Sequence, residues 1–132
     1  MNSDLLKTLS GQIIEGPIVN QTQKYNDQRG LFYESWNSKQ FNQLVSKNIN
    51  FVQDNISFSK KGVLRGLHYQ LSPFLQGKLI RCIKGSIFDV IVDLRSKSKT
   101  FLGWSSISLS DKNCKQLWIP YGFAHGFLTT SD

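Results

Sequence analysis

Ser86-Ile87-Phe88-Asp89-Val90-Ile91-Val92-Asp93-Leu94 is the stretch that decides the fold class. Ile87, Val90, Ile91 and Val92 are β-branched, which favours a pleated strand over a helix. Period-2 runs recur to either side, over residues 31–36, 51–58, 63–70, 78–84, 105–109 and 116–119. Lys84-Gly85-Ser86, between two apolar runs, reads as a tight hairpin. Only residues 38–45 carry helical spacing, with Phe41, Leu44 and Val45 at i, i+3 and i+4 and Asn37 or Ser38 as cap. Many short strands and one short helix predict a sandwich or a small barrel.

The chain has 132 residues, enough for one domain and not two, so a single domain over 1–132 is expected. Hydrophobic residues make up 39%, sufficient for a real core and against general disorder. The formal charge is +7, yet Lys60-Lys61 is the only adjacent basic pair. A nucleic-acid-binding arm shows a dense basic run, so the surplus suits a small anionic ligand and no nucleic-acid partner is expected. No apolar run reaches the length of a membrane span, so no membrane partner is expected either. The first nine residues carry Asp4 and Lys7 and lack the apolar stretch of a signal peptide, which predicts a cytoplasmic protein. Cys82 and Cys114 lie in apolar patterns without metal-type spacing and read as buried, reduced thiols.

Two stretches carry the chemistry. In the first, Gly62 is followed by five residues and His68, then Gln70, then Lys78, six residues and Gly85. In the second, Pro120, Gly122 and His125 stand in a Pro-x-Gly-x-x-His array. Together they resemble the two motifs of the cupin superfamily. Metal-binding cupins place three His and one Glu where this chain has His68, Gln70, Lys78 and His125. Glutamine is a poor ligand, and a lysine ammonium brings positive charge to the metal position. The expectation is therefore no metal and no cofactor. Cys114 replaces the leading Gly of the second motif and Thr129 its final Asn.

Longer runs narrow the resemblance. Asp27-Gln28-Arg29-Gly30-Leu31-Phe32-Tyr33-Glu34, Phe51-Val52-Gln53-Asp54-Asn55 and the run from Val63 to Gln70 resemble segments of the dTDP-4-dehydrorhamnose 3,5-epimerases. So do Gln76-Gly77-Lys78-Leu79-Ile80-Arg81, Phe88-Asp89-Val90 with Val92-Asp93-Leu94-Arg95, and Leu117-Trp118-Ile119-Pro120 with Gly122-Phe123-Ala124-His125-Gly126-Phe127. The resemblance runs over about residues 10–132. Ile56 departs from it, standing where the family usually has His.

The resemblance implies an all-β, cupin-type double-stranded β-helix (jelly-roll) barrel with one short helix. It implies inversion of C3 and C5 of dTDP-4-dehydro-6-deoxy-D-glucose, giving dTDP-4-dehydro-L-rhamnose, and a homodimer. Both protons lie α to the C4 ketone, so the chemistry needs a base and a group that holds the enolate oxygen. By position His68 is the base and Lys78 the oxyanion cation. Arg29, Glu34, Gln53, Asp54, Asn55, Arg65, Lys78 and His125 match substrate-binding positions. Arginine forks suit a diphosphate, and Gln and Asn suit a thymine edge or sugar hydroxyls. In the family the chain continues past the second motif into a donor tyrosine, an acidic partner for the base and the last strands. The expectation is a domain incomplete at its C-terminus and very weak in turnover. Alternative readings are a 3- or 5-epimerase or ketoisomerase on the same substrate class, or a nucleotide-sugar-binding fragment without catalysis.

Strand parity adds an expectation of its own. Arg65 precedes His68 by three residues, so a regular strand points them to opposite faces. If both line one pocket, a bulge is needed between them, and Gly66 is the residue that permits it.

Overall fold

The computed structural model describes residues 2–132; Met1, the first residue of the expected domain, lies outside them. Two four-stranded antiparallel sheets face one another. The first has the order β1 (Asn2–Lys7), β2 (Ile13–Gln21), β9 (Lys115–Ile119), β6 (Lys78–Arg81). The second has the order β5 (Leu64–His68), β10 (Phe123–Thr129), β7 (Ser86–Asp93), β8 (Trp104–Ser110). A separate hairpin pairs β3 (Lys24–Asp27) with β4 (Gly30–Tyr33). This is the expected all-β, cupin-type arrangement, and α1 (Ser38–Val45) is the one α-helix among the described residues.

The core lies between the sheets. Leu6, Ile14, Val19, Leu117 and Ile119 enter from the first, and Ile91, Leu109 and Phe123 from the second. Burying each such side chain contributes about 1.5–3 kcal/mol relative to exposure. The alternation in β7 sorts as the period-2 pattern demands. Asp89, Ile91 and Asp93 point inward and are fully buried, while Phe88, Val90 and Val92 form the outer face.

The helix forms where its spacing predicts. The Asn37 side chain accepts a hydrogen bond from the Gln40 amide at 3.1 Å, and Phe41 is buried. Phe41 packs edge-on against Trp118, with ring centroids 5.3 Å apart, and Trp36 and Phe51 complete the cluster. Trp36 and Trp118 thus serve packing, which attaches the 34–51 segment to the outer face of the first sheet.

Two local expectations are corrected. Residues 51–58 alternate like a strand but form no ladder, and Val52, Ile56 and Phe58 are exposed. Lys84-Gly85-Ser86 is not a hairpin turn, because β6 pairs with β9 and β7 with β8 and β10. It is a corner carrying the chain from one sheet to the other. Of the two thiols, Cys114 is buried and Cys82 half-buried. Cys114 has φ of 53°, in the left-handed region, which explains why glycine suits that motif position.

Candidate active site

The strand β10 carries His125 into the interior, where it is 5% exposed. Its Nε2 lies 3.0 and 2.9 Å from the two carboxylate oxygens of Asp89 on β7. Asp89 is 0% exposed. Burial pushes its carboxyl above the ordinary value, while the hydrogen bond to His125 and then the charges of His125 and Lys78 pull it down. Because Nε2 faces the carboxylate, the remaining ring nitrogen, Nδ1, is the atom left for a ligand.

Lys78 opens β6 opposite Ile119 and is half-buried. It lines a cavity of about 150 Å³ together with Tyr69, Gln70, Phe123 and His125. Lys78, His125 and Asp89 thus meet across the two sheets, a cation and an imidazole over a buried acid. A cation held there, partly out of water, stabilises negative charge developing on an oxygen far better than it does in solution. Among the described residues no group of three or more His, Cys, Asp or Glu side chains is placed to hold a metal ion.

The Gly66 bulge is present. His68 pairs with His125 and Arg65 with Phe127, so three residues of β5 span the interval covered by two of β10. His125 and Phe127 share a face, which puts Arg65 and His68 on one face as well. Gly66 has φ of 106°, and a Cβ there would lie 2.6 Å from the His125 carbonyl oxygen. Only glycine fits this close approach.

His68 sits on the same ladder rung as His125 but is exposed on the edge strand and is not part of the cavity lining. Arg65 is exposed and donates from Nε to Ser59 Oγ at 2.9 Å. Arg29 caps the β3–β4 turn, donating from its backbone to Asp27 at 2.8 Å and holding the Asp27 carboxyl below its ordinary value. Glu34 is exposed just past β4, and Gln53, Asp54 and Asn55 lie on the exposed 51–58 segment. The fold therefore brings Lys78 and His125 together, aligns His68 and Arg65 with them through β10, and leaves the other five on outlying segments. Asp89 had no role assigned from sequence. Its signal was an acid on the inward parity of an apolar strand.

Comparison with known proteins follows the same lines. The family model described as dTDP-4-dehydrorhamnose 3,5-epimerase matches residues 12–132. A Shigella flexneri protein of that name is 54% identical over 115 residues, 87% of this chain and 64% of its own length. One from Methanothermobacter thermautotrophicus is 50% identical, over 90% of this chain and 63% of its own. The chain thus spans a little under two thirds of the length of these relatives. Among solved structures, the Legionella pneumophila dTDP-6-deoxy-D-glucose-3,5-epimerase in complex with dTDP-4-keto-L-rhamnose superposes with a TM-score of 0.87 at 45% identity, covering 98% of this chain and 66% of that one. A Bacillus anthracis dTDP-4-dehydrorhamnose 3,5-epimerase with TDP and PPi bound gives 0.86 at 41%, covering 98% and 72%. With the motifs, the two-sheet fold and these likenesses in agreement, the chain belongs to the dTDP-4-dehydrorhamnose 3,5-epimerase family.

Proposed function

We propose that this chain binds dTDP-4-dehydro-6-deoxy-D-glucose and inverts it at C3 and C5 to dTDP-4-dehydro-L-rhamnose. The observation that carries the reading is the cavity in which Lys78 stands beside His125 over buried Asp89. With the C4 carbonyl oxygen toward Lys78, loss of the C3 proton to His68 places the electron pair on that oxygen as an enolate. Lys78 holds the charge. Solvent water supplies the proton that returns to the opposite face and inverts the carbon, His68 releases the proton it took to solvent, and the same cycle at C5 completes the reaction. His68 suits the task because imidazole is the side chain most often placed as a general base in proton transfer. Arg65, on the same face, suits the diphosphate, and Arg29, Glu34, Gln53, Asp54 and Asn55 suit the nucleotide and sugar hydroxyls. No metal or cofactor takes part in this scheme.

The reading includes a cytoplasmic homodimer. Supporting the dimer are the exposed apolar side chains Phe32, Val52, Phe58 and Leu64 and the unpaired edge of β5. Light scattering across micromolar concentrations tests it, with a strictly monomeric mass counting against it. Among the described residues no helix is long and apolar enough to cross a membrane.

The exposure of His68, outside the cavity lining, favours a second reading in which the chain binds the sugar nucleotide without turnover. Incubation with the keto-sugar nucleotide in D2O separates the two. Deuterium at C3 and C5 supports the epimerase, and deuterium at one carbon alone supports a 3- or 5-epimerase. Binding without deuterium supports the binder, and neither binding nor exchange overturns the substrate class.

A further inference from the structure

The cavity has a wall that the proposed chemistry does not use. Leu94, Pro120, Gly122 and Phe123 line it, and all four lie beside Arg95 in sequence or in space. Asp93, fully buried at the end of β7, accepts hydrogen bonds from Arg95 Nε and Nη2, both at 3.0 Å, and from the Arg95 backbone amide at 3.0 Å. Ser98 Oγ and Thr100 Oγ1 add donors at 2.6 and 2.7 Å. A guanidinium gripped in this bidentate fashion has little rotational freedom.

The Arg95 side chain is also threaded through a slot. A Cβ on Gly122 would lie 2.8 Å from Arg95 Cγ, and one on Gly16 would lie 3.5 Å from Arg95 Nη1 and 3.1 Å from Pro120 Cγ. Above the Phe123 ring, the guanidinium carbon stands 4.7 Å from the centroid. The Arg95 side chain thus joins β2 of one sheet to the β9–β10 turn and β10 of the other. Phe123 and His125 are two residues apart on β10 and share its inward face.

We propose that Arg95 is a positioning residue for the cavity: anchored on Asp93, it fixes the Phe123 ring and the Pro120–Gly122 turn as the apolar wall against which the sugar ring packs. The sugar part of the proposal rests on the substrate reading above. Phe123 touches the ligand, and Arg95 acts through Phe123. The wall then contributes to recognition of the deoxy-sugar and not of the nucleotide.

Two readouts test this on the chain as it stands. In protein labelled with 4-fluorophenylalanine, the Phe123 ¹⁹F resonance, assigned with Phe123→Leu, shifts and broadens in Arg95→Met, and Arg95→Lys restores part of the change. Affinity for the keto-sugar nucleotide falls about tenfold in Arg95→Met, the low end of what a pocket contact is worth, while affinity for dTDP stays within about twofold. An unchanged Phe123 resonance overturns the proposal, as does an equal loss for both ligands, which marks general destabilisation. If Arg95→Met does not fold, Ser98→Ala removes one Asp93 donor without touching Phe123 or the cavity, and the same resonance must move less but in the same direction. If the unmodified chain binds neither nucleotide, the substrate reading fails, and the Phe123 resonance decides the positioning role alone.

Discussion

The inside and the edge of this barrel are built differently. Inside, Asp89, His125 and Lys78 are held by two pairs of strands, β7 with β10 and β6 with β9, and the Asp89–His125 contact is closed at 2.9–3.0 Å. At the edge, His68 and Arg65 ride on β5, which pairs on one side only, and every residue of that strand is exposed. The contrast suggests a division of labour. On the proposed reading, groups that hold charge in a dry place are fixed by the ladder, and groups that meet the incoming ligand stand on segments still open to it.

Breaking the edge chemistry gives the largest expected effect. His68→Asn should abolish deuterium incorporation at both C3 and C5, a loss of about 10²–10⁴-fold for a general base. Exchange retained in this variant would remove His68 as the base. The link between edge and interior is Gly66. Gly66→Ala puts a methyl against the His125 carbonyl at a positive φ, and should cost about 2–4 kcal/mol in urea unfolding. A near-neutral result would show that the bulge is not needed.

The ease of reading these regions from sequence divides along similar lines. Helix α1 was legible because local signals agreed: apolar spacing at Phe41, Leu44 and Val45 and a cap at Asn37. The bulge at Gly66 was legible because parity demands one if Arg65 and His68 are to share a face, as the β5–β10 register has them do. Strand β2 was not, since Gly16-Pro17 interrupts it. The β1–β2 ladder slips from Leu5↔Ile18 to Lys7↔Ile13 around that pair, which is how a proline without an N–H is tolerated between two partners. Residues 51–58 misled because alternation reports a half-buried surface only when a neighbour supplies the ladder. Lys78 and His125 were implied by the family resemblance, but their convergence over Asp89 depends on a contact 36 residues apart in sequence.

Within the interior, the two buried acids of β7 should differ. Asp89 has its carboxyl raised by burial, whereas burial of Asp93 is overcome by donors from Arg95, Ser98 and Thr100, which hold it well below the usual range. A depressed folded-state pKa gives stability that is complete above the unfolded value, about 3.9, and is lost as pH falls through it toward the folded value. Asp93→Asn should therefore flatten the loss of stability below about pH 5, measured by urea unfolding at each pH. An unaltered pH profile would contradict the network. The smallest effect belongs to the outlying hairpin. Arg29→Ala removes a fully exposed ion pair and should leave the melting temperature unchanged, while weakening dTDP binding.

Lys78 tests the central claim most directly, because it is the cation that lines the cavity where the enolate oxygen is proposed to be held. Proton exchange at C3 and C5 and dTDP affinity should be measured side by side in the unmodified chain and in Lys78→Ala. Exchange slowed by about 10²–10³-fold with dTDP affinity nearly unchanged is the predicted result, since the ammonium is needed most when the enolate forms. Exchange at the unmodified rate, or a parallel loss of exchange and dTDP binding, would contradict the account of the cavity as the place where the enolate oxygen is held.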